Sequence, residues 1–200
     1  MKKIILIIIL FIIIFAIFYK KEQKVSIEYI DYNLEYNELG ITFLDLNDSN
    51  SLLLTLNNTN ILYIINYKNS KGLKKNLYRL NKKIDYIVMN KKYDINIKAS
   101  KKIINERLII NNIIIENVNY QAIKYNNKTL CINSSNCDFI YFTKDNIKLN
   151  NNKAIFINRN VHMKDSLHEQ WVDIYKLNNS VYTILKLKED YEVLQIIKNI

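Results

Sequence analysis

The sequence predicts a β-rich layered domain of the α+β or α/β class, carried behind a hydrophobic N-terminal helix. Three observations predict it. Short apolar runs recur between clusters of Asn, Asp and Ser, which is how strands and turns alternate. One stretch, residues 71–83, breaks that rhythm with the period of a helix. Once a leader is set aside, about 175 to 180 of the 200 residues remain, enough for one domain with its own core.

In order, residues 1–20 are a membrane anchor or a signal. Ile4 to Phe18 holds no polar residue, and at about 1.5 Å per residue it spans about 23 Å. With Tyr19 and snorkelling lysines at both ends, that length can cross a bilayer core of about 30 Å. A cleaved secretory signal shows the same basic start and short apolar run, but cleavage wants small residues and the run closes Ala16-Ile17-Phe18-Tyr19-Lys20-Lys21. The expectation is therefore a single uncleaved N-terminal helix with the body outside the cytoplasm. Lysines on both flanks leave the orientation weakly set.

Residues 21–39 form a polar connector, and the domain proper runs from 40 to 200. Ile41 to Leu46, Ser51 to Leu56 and Ile61 to Ile65 read as three strands separated by Asn-rich turns. Leu73, Leu77, Leu80 and Ile84 then fall at i, i+4, i+7 and i+11, one apolar face of a helix. Strand Ile84 to Met89 follows, then a short helix between Ile95 and Ile104. Further strands are expected at 108–110, 113–115, 118–125, 129–132, 139–142, 154–157, 172–175, 181–187 and 191–197, with a helical turn or two around Lys164 to Trp171. A helix inserted among strands argues for layers built on β-sheets.

Composition narrows the class of function. Ile and Asn make up about a third of the chain, beside two glycines and no proline. That bias suits an AT-rich coding sequence, so a loop Asn can stand where a relative carries Gly or Asp, and short Asn motifs carry no weight. With so few glycines no phosphate-cradling Gly-rich loop or nucleophile elbow can be built. The net charge of +10 includes Lys2, Lys3, Lys20 and Lys21 around the leader. The remaining lysines read as scattered singly or in pairs, a cationic surface suited to an anionic membrane. Three unclustered arginines give nucleic acid only weak support as a partner.

Certain strings carry a family resemblance. Phe43-Leu44-Asp45-Leu46-Asn47-Asp48-Ser49-Asn50 stands where the family reads roughly F-L-D-V-G-Q-G-D, and Tyr63-Ile64-Ile65-Asn66-Tyr67 stands for I-L-I-D-G-G. Ile84-Asp85-Tyr86-Ile87-Val88-Met89 matches I-D-x-L-I-L-T. Over residues 41–197 the order of elements resembles the metallo-β-lactamase (αββα) fold. More narrowly, it resembles the C-terminal β-lactamase-like domain of bacterial DNA-uptake (competence) channel proteins. The resemblance implies a metal loop, H-x-H-x-D-H, directly after that last strand, where imidazoles and a carboxylate converge on zinc and activate water. On this chain those positions fall on Asn90, Lys92, Asp94 and Ile95. Only the aspartate survives. The later Gly-Asp falls near Ile132-Asn133-Ser134, and the later His-His-Gly-Ser on Thr143-Lys144-Asp145-Asn146. The resemblance thus implies a degenerate form with no metal, no cofactor and no catalytic residue.

Two readings of function follow as expectations. The first is a membrane-anchored, non-catalytic β-lactamase-like domain that binds or scaffolds in the cell envelope, with the membrane and an envelope protein as partners. The second is a DNA-handling or phosphodiester hydrolase that reuses the fold with a recruited acidic site of Asp45, Asp48, Asp94 and Asp145, since carboxylates can hold Mg²⁺ with its waters. Cys131 and Cys137 can form a small-loop disulfide in an oxidising compartment. His162 and His168, six apart, do not have helical ligand spacing. Trp171 with Tyr175 and Tyr182 reads as packing before it reads as a base-stacking platform.

Overall fold

A computed structural model describes residues 32–46, 49–68, 71–135, 137–143, 152–158, 172–178 and 181–197. The chain divides into two compact units, Met1–Ile30 and Asp31–Ile200. All described residues belong to the second. The hydrophobic leader and the piece around Lys164 to Trp171 lie outside the described residues. Among the described residues no helix is long and apolar enough to cross a membrane.

The described residues form two mixed seven-stranded β-sheets. The strands are β1 (Leu39–Leu46), β2 (Ser49–Leu56), β3 (Thr59–Tyr67), β4 (Tyr86–Met89), β5 (Lys101–Ile104), β6 (Leu108–Ile110), β7 (Ile113–Glu116), β8 (Ala122–Tyr125), β9 (Lys128–Ile132), β10 (Phe139–Phe142), β11 (Ala154–Ile157), β12 (Asp173–Lys176), β13 (Val181–Leu187) and β14 (Tyr191–Ile197). Helix α1 (Lys71–Arg79) joins β3 to β4. The first sheet has the order β14-β13-β1-β2-β3-β4-β5, the second β12-β11-β10-β9-β8-β7-β6. In each sheet antiparallel pairing gives way to parallel: after β3 in the first, after β9 in the second.

The alternation of side chains explains the layers. Ile41, Phe43, Leu52, Leu54, Ile61 and Tyr63 point from the first sheet into one core with Leu130, Phe139, Tyr141 and Phe156 of the second. Phe43 stacks on Phe156 at 4.3 Å between ring centroids and meets Tyr141 edge-on at 5.2 Å. The opposite face of the first sheet is also buried, at Leu44, Leu53, Leu62 and Ile184, and α1 lies against it. The buried positions of the helix are Leu73, Asn76, Leu77 and Leu80, and the Tyr182 hydroxyl donates to Asn76 Oδ1 at 2.9 Å. Strands β10 and β11 are buried at every residue, as parallel strands covered on both faces are.

Nine described residues have a left-handed backbone, and all nine are asparagines: Asn33, Asn37, Asn57, Asn81, Asn105, Asn111, Asn112, Asn126 and Asn133. Asparagine therefore does the turn work that glycine does elsewhere. At Gly40 the need is space, since a Cβ there would sit 2.8 Å from Leu34 Cδ1.

The structure corrects the sequence in two places. Residues 95–104 form no helix: 92–99 have no regular structure and Lys101–Ile104 is β5, parallel to β4. Ile95 and Ile103 are buried while Lys101, Lys102 and Ile104 are exposed, so no i, i+3, i+4 stripe exists for a helix to bury. The run 118–125 is a strand only from Ala122, because Asn117 turns inward and leaves Val118 and Tyr120 exposed. The last part of the connector also differs. Tyr32 is buried on the first sheet, its hydroxyl within 3.2 Å of Thr42 Oγ1 and 3.3 Å of Thr55 Oγ1.

Candidate functional site

Open α/β sheets place ligands outside the carboxyl ends of their parallel strands. Here those ends coincide in both sheets. The pairing directions put Leu46, Ser49, Tyr67, Met89 and Ile104 at one end of the first sheet. By the same logic Glu116, Ile132, Phe142, Ile157 and Lys176 share one end of the second. Two contacts show that these are the same end. Asn158 Nδ2 donates to Asn50 Oδ1 at 2.7 Å, and Asn117 Nδ2 donates to the Met89 carbonyl at 2.6 Å.

That end is lined by carboxamides, and their polar atoms serve the fold. Asn117 is buried and also accepts the Tyr63 hydroxyl at 2.9 Å. Burial pushes the Tyr63 phenol far above its ordinary value, and a hydrogen bond with Gln121 works the other way. Asn133 holds the start of the segment after β10: its Oδ1 accepts the Thr143 amide and its Nδ2 donates to Thr143 Oγ1, both at 2.8 Å. Asn90 donates to the Ile65 carbonyl at 3.4 Å, and the Tyr93 hydroxyl donates to that carbonyl and to Asn90 Oδ1, each at 3.3 Å. Desolvation raises the Tyr93 pKa.

The four positions of the expected metal loop diverge. Asn90 is tied down as described, Ile95 is buried, and Lys92 and Asp94 are exposed to solvent. Among the described residues no group of three or more His, Cys, Asp or Glu side chains stands together as a metal site would require. The donor set does not fit a zinc centre: a neutral amide spent on a carbonyl, a cation and a buried alkyl chain cannot supply thiolate, imidazole or carboxylate ligands. Of the recruited acidic site, Asp94 is exposed, and the Asp45 backbone pairs with Asn50 across β1 and β2. Asp48 and Asp145 lie outside the described residues, as do His162, His168 and Trp171.

Cys131 and Cys137 form a disulfide, with Cα atoms 5.9 Å apart. It crosses the connection between β9 and β10. Asn152 seals the same loop by donating to the Ser135 and Cys137 carbonyls at 3.0 and 2.6 Å.

A concave surface lies at the opposite end. A groove of about 480 Å³ runs between the carboxyl end of α1 and residues 96–98, with Lys74, Lys82, Lys83 and Lys98 in its walls. Read singly or in pairs, the lysines look scattered. In fact twelve of the 29 basic residues and only two acids, Asp85 and Asp94, lie between 68 and 102. That stretch accounts for the whole net charge of +10, and the rest of the chain is balanced. A running charge count would have found it; a search for adjacent cations could not. Asn50, Asn117 and Asn158 had no such signal, because asparagine is everywhere in this chain.

No family model matches the chain, and no curated protein is similar to it. Among solved structures, the metallo-β-lactamase fold protein YhfI from Bacillus subtilis is similar over 75% of this chain and 100% of that chain, at 8% identity and a TM-score of 0.48. The likeness concerns chain path alone.

Proposed function

We propose that this protein is a non-catalytic binding or scaffold module of the cell envelope, built on a β-lactamase-like frame and held to the membrane by Ile4 to Phe18. On this reading it is a degenerate relative of the domain found in DNA-uptake channel proteins. The observation that carries it is the chemistry of the shared carboxyl end. Where a hydrolase of that frame needs imidazoles and carboxylates converging on metal, this chain puts Asn90, Asn117, Asn133 and Asn158, engaged with the chain's own carbonyls, amides and side chains. A carboxamide has no proton to take or give near neutral pH, and each of these is oriented by a bond it already makes within the chain.

The purified full-length protein is expected to hold no stoichiometric zinc, manganese or iron by elemental analysis. It is also expected to cleave nucleotides, DNA and ester substrates no faster than a Lys92→Ala, Asp94→Ala double variant. One metal ion per chain, lost on Asp94→Ala together with an activity, would overturn this reading and favour the acidic hydrolase.

A further inference from the structure

The lysine-lined groove serves neither the core nor the carboxyl end, and its construction is specific. Helix α1 stops in a Schellman turn: the Lys82 amide donates to the Leu77 carbonyl at 3.3 Å and the Asn81 amide to the Tyr78 carbonyl at 3.0 Å. Asn81 takes the left-handed conformation this turn demands. The reversal places Lys82 and Lys83 beside the helix end, where cations suit the negative pole of the dipole. That pole accounts for two lysines. It does not account for Lys74 a turn and more earlier, or for Lys98 from the opposite wall. Asp85, the acid nearest in sequence, takes no part in the lining; its Oδ2 accepts the Asn60 amide at 2.9 Å. Four lysines thus contribute to one concavity whose walls hold no acid, and Tyr78 on the rim is 59% exposed.

We propose that this groove binds the anionic headgroups of a phospholipid surface. Charge complementarity restricts the ligand to anions, and the path of the chain selects the bilayer among them. The described chain begins at Tyr32, and the Lys82 ammonium lies 5.4 Å from the centre of its ring. The thirteen residues from Tyr19 to Asp31 can stretch at most ~45 Å. An apolar run that enters a bilayer therefore keeps the domain within that reach of its surface. Lysines within a Debye length of about 8 Å of an anionic surface each strengthen attachment several-fold. This inference rests on the anchor in the proposed function, and the test separates the two.

The full-length protein is reconstituted in vesicles of phosphatidylcholine alone, or of phosphatidylcholine with phosphatidylglycerol at 3:1. It is labelled with a membrane-impermeant amine reagent and read by mass spectrometry. Lys74, Lys82, Lys83 and Lys98 are expected to label about tenfold more slowly in the anionic vesicles, with the exposed Lys92 and Lys176, at the carboxyl end of the sheets, unchanged. Strong salt should erase the difference. So should the Lys74→Gln, Lys82→Gln, Lys83→Gln, Lys98→Gln variant at Lys75 and Lys101, exposed lysines at the same end taken as reporters outside the groove. Equal labelling in both vesicles overturns the groove's role while leaving the anchor intact. An alkaline wash that strips the chain refutes the anchor, and protection measured with the same protein added back to the vesicles then decides the groove. Protection by a single-stranded oligonucleotide, with none by anionic vesicles, overturns the lipid assignment in favour of nucleic acid.

Discussion

At the scale of single residues, this chain turns its corners with asparagine. The β6–β7 hairpin shows the cost. Its two-residue turn has φ of 47° at Asn111 and 66° at Asn112, the doubly left-handed geometry whose twist matches the flanking strands and which favours Asn-Gly. Asn tolerates that region better than other L-residues, but only glycine is free of the Cβ clash. Asn112→Gly is therefore expected to leave stability unchanged or raise it by up to about 1 kcal/mol, while Asn112→Ala should lower it by about 1 kcal/mol or more. Urea midpoints of the two variants check this, and equal midpoints would mean the turn relaxes out of the left-handed region. Asn111 is a poorer test, because its amide also donates to Thr59 Oγ1 at 3.1 Å and ties the second sheet to the first. The sequence could announce that asparagine replaces glycine, but not which asparagines, since the neighbouring elements, paired strands or a helix end, decide where φ turns positive.

Among the elements, the connection from β9 to β10 is the most demanding. These strands are parallel neighbours, yet only residues 133–138 join them, where parallel crossovers ordinarily take a dozen residues or more. The return is held at several points: Asn133 left-handed at the start, the Cys131–Cys137 disulfide across the middle, and the Asp138 carboxylate accepting the Thr129 amide at 2.9 Å. A loop this short constrains the unfolded chain by about 2 kcal/mol on the chain-entropy estimate. Reduction, or Cys131→Ser with Cys137→Ser, should lower unfolding free energy by up to that amount. Hydrogen exchange should quicken first at Phe139 to Phe142. No change in either would mean the asparagine and aspartate bonds hold the loop unaided. The strands other than β5 were legible because each is an apolar run closed by turn residues, and α1 because Leu73, Leu77 and Leu80 share a face. Its end at Arg79 was not legible, because the stop signal is Asn81 in place of the usual glycine. The misread 95–104 segment shows the other limit: two buried isoleucines eight apart fit either period, and pairing with β4 decides between them. The ends of the two sheets were illegible, since Asn50 and Asn158 lie 108 residues apart in sequence.

Over the whole molecule, phenols do much of the joining of layers, and that makes alkaline pH the natural stress. Tyr63 sits between the sheets and Tyr182 under α1, both with no exposed surface. Burial raises the pKa of Tyr63, Tyr93, Tyr125, Tyr175, Tyr182 and Tyr191. At Tyr175 and Tyr191 the Asp173 carboxylate pushes the same way, and at Tyr182 the nearby Arg79 opposes burial. A phenol whose folded pKa exceeds the unfolded value of about 10 stays neutral in the native state while the unfolded chain releases its proton. The contribution is therefore intact below pH of about 10 and is lost as pH rises toward the folded value. Unfolding free energy should fall steeply above pH 10, with Tyr63 alone supplying a slope of up to about 1.4 kcal/mol per pH unit. Tyr63→Phe should flatten that slope. At pH 7 the same change should cost about 1–3 kcal/mol, because Asn117 Oδ1 loses its donor inside the core. Urea unfolding at pH 8, 10 and 11 for the two proteins decides it. Parallel pH profiles would show that the Tyr63 phenol ionises as freely in the folded protein as in the unfolded chain, and that the cross-layer bond to Asn117 does not hold it neutral.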